Sequence, residues 1–253
     1  MRRWRFVLVT LAVLTTGCSG VVFEETRPTT PTADGPPGVG TDGLNASALV
    51  AAHERSLAGV PVAIETTRSR WDTLGRPNET VTTRMKSDGD GTLWRRTVSE
   101  IGAEQSHVER WDDGPSGLRY DADTGRVAVD DIAPSPTDRY QTRQLREWFV
   151  RGTYEVRALG PPNARRYVLT ATQYTPLDGR PVEADTVRFE SRAVVTARGR
   201  VLAMSASLAT VERNRWGRQV RSRSYTYRVA RTGGVTPSRP AWHPQRETAV
   251  ADG

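Results

Sequence analysis

Cys18 is the only cysteine of the chain, and it follows a short apolar run in Leu14-Thr15-Thr16-Gly17-Cys18. A thiol placed there is set up to carry a lipid. Arg2, Arg3 and Arg5 make a basic n-region, Phe6 to Leu14 hold no charge, and small Gly17 precedes the cysteine. The run is too short for a bilayer core, which takes about 20 apolar residues. Residues 1–17 therefore read as a cleaved lipoprotein signal, with an ordinary secretory signal and an incidental thiol as the competing reading. Leu14 stands four residues before the cysteine, where a lipobox places leucine three before, and Thr15 holds that slot. Arg2-Arg3 is similar to a twin-arginine export signal, but Arg5 occupies a place that signal keeps apolar.

Other groups capable of chemistry are scattered. His53, His107 and His243 are far apart, and no Gly-x-Ser-x-Gly, His-Glu-x-x-His or phosphate-binding loop accompanies them. Asp88-Gly89-Asp90, Asp112-Asp113-Gly114 and Asp121-Ala122-Asp123 lack the further ligands and terminal Glu of a calcium loop, and read as turns. The expectation is a protein with no catalytic residue, no metal site and no cofactor. Asn45-Ala46-Ser47 and Asn78-Glu79-Thr80 fit the glycan acceptor. Asn78, on an expected turn, is the better candidate, because Asn45 also serves as a helix cap.

Charge narrows the partners. The formal charge of +7 falls to +4 once the three arginines of residues 1–17 are removed, and Lys86 is the only lysine. A nucleic-acid binder groups its cations in one stripe. Here Arg and Asp/Glu intersperse along the strands, as in Thr66 to Asp72 and Thr186 to Arg192, so nucleic acid is not an expected partner. With Cys18 committed to lipid, no disulfide is available, and the exported domain must stand on a hydrophobic core.

These residues need elements to hold them. Residues 18–43 are Thr/Pro/Gly-rich with few apolar side chains and read as an extended tether. A helix is expected from Ala46 to Leu57, capped by Asn45, with Leu49, Val50, His53 and Leu57 on one face. Period-two alternation then predicts an antiparallel meander up to Val129. Pro136 behind Ser135 starts a second helix, expected over 137–150 as one piece, with Leu145, Trp148 and Phe149 on one face. Long strands resume from Thr153 to Val229. The fold class is α+β: a strongly twisted antiparallel sheet, an incomplete half-barrel, with two helices over its concave face. The domain is expected over 44–232, with 233–253 as a tail. Trp148 is expected in the core, while Trp94 and Trp111 are equally compatible with core or cleft.

The helix Leu49-Val50-Ala51-Ala52-His53-Glu54-Arg55-Ser56-Leu57 before the first strand and the closing Val235-Thr236-Pro237-Ser238-Arg239-Pro240-Ala241-Trp242 carry a resemblance. With the order of lipidated cysteine, tether, helix, meander, helix and long strands, the chain resembles lipoprotein-carrier half-barrels of the LolA and LppX type. The flanks resemble a group of haloarchaeal lipoproteins without assigned function. The resemblance implies an incomplete barrel around helices whose hollow accepts an acyl or isoprenoid chain. Val187, Phe189, Val195, Leu202, Met204 and Leu208, with Trp148, are the expected lining of that hollow. The expected function is a non-catalytic lipoprotein held on the extracytoplasmic face of the membrane, binding a lipid or other apolar ligand. The alternative is a structural or interaction lipoprotein with a filled core.

Overall fold

Strand pairing decides where the helices must go. The computed structural model describes residues 35–40, 43–113, 117–130, 134–175, 184–214 and 217–243; of 184–187 and 212–214 only the backbone is described. Cys18, the tether through residue 34 and the end of the chain lie outside these residues. The order is β1 (Val39–Gly40), β2 (Gly43–Leu44), α1 (Ala46–Leu57), β3 (Val62–Trp71), β4 (Pro77–Ser87), β5 (Leu93–Ile101), β6 (Glu104–Asp112), β7 (Gly117–Asp121) and β8 (Arg126–Asp130). Then come α2 (Pro136–Arg139), α3 (Thr142–Phe149), β9 (Gly152–Leu159), β10 (Arg166–Tyr174), β11 (Ala184–Thr196), β12 (Val201–Asn214) and β13 (Gly217–Thr232).

Strands β3 to β13 form one 11-stranded sheet in the order β8-β7-β6-β5-β4-β3-β13-β12-β11-β10-β9. Each meander is sequential, and the last strand, β13, pairs antiparallel with the first, β3. The two edges are thus β8 and β9, consecutive in the chain but at opposite ends of the sheet. The segment joining them has to cross a face, and α3 crosses the concave one, where Leu145, Trp148 and Phe149 enter the core. This is an open half-barrel, as the alternation predicts.

Directly opposed residues of an antiparallel pair share a face. One inner row runs Val156, Leu169, Ala193, Met204, Tyr227, Thr66, Thr83, Thr97. It changes from apolar to threonine at β3. Only the apolar part, β9 to β13 with the start of β3, Met85 of β4 and Leu93 of β5, needs a cover, and α1 and α3 supply it. Leu49 and Leu57 of α1 and Leu145 and Phe149 of α3 are almost wholly buried there.

The second helix is not one piece. α2 ends at Arg139, Gln141 takes the left-handed region (φ 56°), and α3 restarts at Thr142. The Gln141 side-chain amide donates to the Asp138 carbonyl at 2.7 Å. The break aims two side chains at α1: the Tyr140 hydroxyl donates to the Leu57 carbonyl at 3.2 Å, and the Thr142 hydroxyl donates to the Glu54 carboxylate. A continuous helix would turn those side chains about 100° per residue and could not deliver both.

The outer face is partly covered as well. Through His243 the closing segment lies over β6 and β7. Trp242 stacks on Tyr120 at 5.2 Å and donates from its indole to Glu109 at 2.6 Å, while His243 meets Trp111 edge-on at 6.1 Å. Trp111 is therefore buried on the outside of the sheet, and Trp94 sits beneath the Lys86 ammonium, 5.6 Å from its centroid. Neither lines the hollow.

Candidate functional site at the open end

The inner row next to the core is Phe189, Leu208, Arg223, Arg70, Glu79. It marks the end of the apolar lining: two buried apolar residues, then two cations and an acid. From α3, Trp148 lies over this place, near-parallel to Phe189 (6.3 Å, 20°) and to Tyr225 (6.4 Å, 10°). The Arg223 guanidinium stands 5.7 Å from the Trp148 ring, and the Tyr174 ring 5.7 Å from Phe189. Above them opens a cavity of about 760 Å³, with Arg70, Trp71, Tyr174, Thr210, Arg221 and Arg223 in its wall.

The rim is cationic. Burial, then the charge of Arg151, holds the Arg223 guanidinium below its ordinary pKa. Arg151 donates to the Tyr174 hydroxyl at 3.0 Å, and Arg70 pairs with Glu79 at 2.8 Å. Asp72, the acid of the wall, is engaged in its own turn, accepting from the Leu74 and Arg76 amides. The floor has an unmet demand. Tyr225 is 2% exposed, and its hydroxyl has no hydrogen-bond partner among the described residues. Burial pushes this phenol well above its ordinary pKa, so it stays protonated. Arg68 lies directly opposite on β3; its Nη2 pairs with Glu79 at 3.1 Å, while its Nε is buried without a partner. An unsatisfied buried polar group costs about 1 to 3 kcal/mol.

Of the expected lining, Phe189, Leu208, Trp148, Val195 and Met204 are all buried in one core cluster. Phe189, Leu208 and Trp148 lie at its end, behind Arg223 and Tyr174 of the cavity wall and not in the wall themselves. Leu202 is left unpaired by a bulge where Val194↔Ala203 gives way to Val195↔Val201, and is half-buried outside the core cluster. The Val187 side chain lies outside the described residues. Asn78 is exposed at the start of β4, and Asn45 caps α1 by accepting from the Ala48 amide at 3.0 Å. Tyr225, Arg223, Tyr174 and Arg68 escaped sequence reading. Tyr225 and Tyr227 do alternate with polar residues in Gln219 to Val229, but nothing in that period says that α3 will lie across them.

His53 is used structurally. The Val201 amide donates to its Nδ1 at 3.1 Å, which leaves the proton on Nε2 to be donated to the Tyr227 hydroxyl at 2.7 Å. Burial, then the Arg200 charge, pulls its pKa down to about 3.

At the other end of the strands is a shallow depression of about 1060 Å³ whose wall holds Pro37, Arg55, Arg165, Arg166, Arg198 and Arg200, and no acid. The described chain begins beside it.

No family model and no curated protein matches the chain. Among solved structures it is similar to LprF from Mycobacterium bovis, at 9% identity and a TM-score of 0.38, covering 81% of this chain and 98% of that one. It is also similar to a LolA superfamily protein from Nitrosomonas europaea, at 9% identity and a TM-score of 0.25, covering 74% and 94%. Likeness of this degree carries no argument about ligand or activity, and the half-barrel rests on the chain's own strand pairings.

Proposed function

We propose that this chain is a membrane-anchored, extracytoplasmic, non-catalytic lipoprotein that holds the apolar part of an amphiphile at the open end of its half-barrel. The observation that carries the reading is the buried, unpartnered Tyr225 hydroxyl on an aromatic floor beneath an arginine rim. Arg223 and Tyr174 cover the floor with side chains that can swing aside. An acyl or isoprenoid chain then packs on Trp148 and Phe189, and a polar atom of the ligand meets the Tyr225 hydroxyl. The second reading, a structural lipoprotein, is favoured by the close filling of the deeper hollow by α1 and α3.

Removal of residues 1–17 is the processing that the lipoprotein signal prescribes, so the tests use the chain without them. With Cys18→Ser and bound lipid extracted, this chain is expected to take up a fluorescent fatty probe. Tyr225→Phe should keep or slightly raise stability, because it removes an unsatisfied group, while weakening the probe. Leu208→Asp should abolish uptake, and Arg188→Asp, exposed on the outer face and bonded to Glu190, should leave it unchanged. Wild-type protein that binds no probe would hand the case to the structural reading.

Anchoring has its own test. Lipid burial contributes about 0.8 kcal/mol per CH₂, and two chains give stable attachment where one gives only reversible binding. In cells, Cys18→Ser should shift the protein from membrane to medium. Retention of that variant on membranes after a high-salt wash would show that lipid is not the anchor. The acid-free depression beside Pro37 supports this orientation, since the tether leads to a face suited to an anionic surface.

A further inference from the structure

Away from the open end, the polar half of the inner face holds a row that needs explanation. Arg95, Arg110 and Arg119 are directly opposed on β5, β6 and β7. Like charges placed opposite on one face destabilise a sheet. Asp112 and Asp130 are both committed to Arg110, and Asp121, two residues beyond Arg119 on β7, acts on Arg119 by charge while accepting from the Asp123 and Thr124 amides of its own turn. Asp112 takes Nε at 2.9 Å and Nη2 at 2.7 Å, and Asp130 takes Nη1. Gly117 makes room for the first pairing, because a Cβ there would stand 2.0 Å from the Asp112 carboxylate oxygen.

Arg95 and Arg119 have no hydrogen bond or ion pair among the described residues. Arg95 is half-buried, and Asp138 on α2 acts on it by charge only, its carboxylate accepting from the Ser135 hydroxyl at 2.7 Å. Burial, then the Arg110 charge, pulls the Arg95 guanidinium below its ordinary pKa. These side chains enclose a pocket of about 330 Å³ with Thr97, Val108 and Asp130.

We propose that this pocket is an oxyanion site for a phosphate group, held by Arg95 and Arg119 with Arg110 fixed behind them by its two aspartates. A guanidinium presents a planar fork of donors that fits phosphate oxygens. The anion relieves the repulsion along the row and gives Arg95 the partner it lacks. The site is separate from the amphiphile reading and stands or falls without it.

The test is thermal unfolding of the leaderless Cys18→Ser chain in inorganic phosphate, against chloride at the same ionic strength and pH. An anion that binds only the folded state raises the midpoint with its concentration. The expected result is a saturable rise of several degrees that chloride does not reproduce. Arg95→Gln should remove it, and so should Arg119→Gln, whose exposed position spares the fold. Arg192→Gln, exposed on the outer face, should retain it. A wild-type midpoint indifferent to phosphate, or a rise that survives both pocket variants, overturns the proposal.

Discussion

Replacing Trp148 with alanine lowers the unfolding free energy by about 3 to 5 kcal/mol, the range for truncating a large buried aromatic. The residue is 7% exposed and ties three elements together: its own α3, Phe189 of β11 and Tyr225 of β13. Its loss also strips Arg223 of the ring beneath it, which adds to the cost. The segment is the one link between the two sheet edges, so α3 has no other place to pack. Denaturant melts of the leaderless Cys18→Ser chain measure the effect. A loss below about 1 kcal/mol would make α3 a peripheral or movable cover.

Acid should unfold the domain through His53. Its folded pKa is about 3 against an ordinary value of 6.5. Between these values the unfolded chain binds the extra proton, so stability is complete above pH 6.5 and is lost as pH falls toward 3. The window is worth on the order of 4 to 5 kcal/mol, at 1.36 kcal/mol per unit. Protonation would put a hydrogen on Nδ1, where the Val201 amide already donates, and would set a second cation beside Arg200. The measurement is chemical denaturation at a series of pH values for wild type and His53→Gln. The variant should lose this part of the pH dependence, whatever its stability at neutral pH. Parallel curves would show that His53 is not the acid-sensitive group.

Much of this fold is legible along the chain because each element carries its own period. The strands from Val62 to Asp130 and from Gly152 to Thr232 alternate residue by residue, and α1 shows its apolar stripe and its Asn45 cap. Such signals are local, and they survive in the sequence. The break at Gln141 does not, because it is imposed by two hydrogen bonds from the second helical segment to α1, residues more than eighty positions away. The bulge at Leu202 is likewise set by pairing to β11, and it leaves that residue unpaired and half-buried.

The candidate sites divide in the same way. Composition and order determined that this is a basic, cysteine-poor chain with an open antiparallel sheet and too few helices to cover all of it. They also marked Phe189, Leu208 and Trp148 as apolar. Only the tertiary structure decided that these three join Val195 and Met204 in one buried cluster and stand at its end, behind Arg223 and Tyr174. It also decided that the unpartnered Tyr225 hydroxyl faces Arg68, whose Nε alone lacks a partner, and that Arg95, Arg110 and Arg119 form a row. Cross-strand register creates those neighbours, and register is a property of paired strands that no single strand carries.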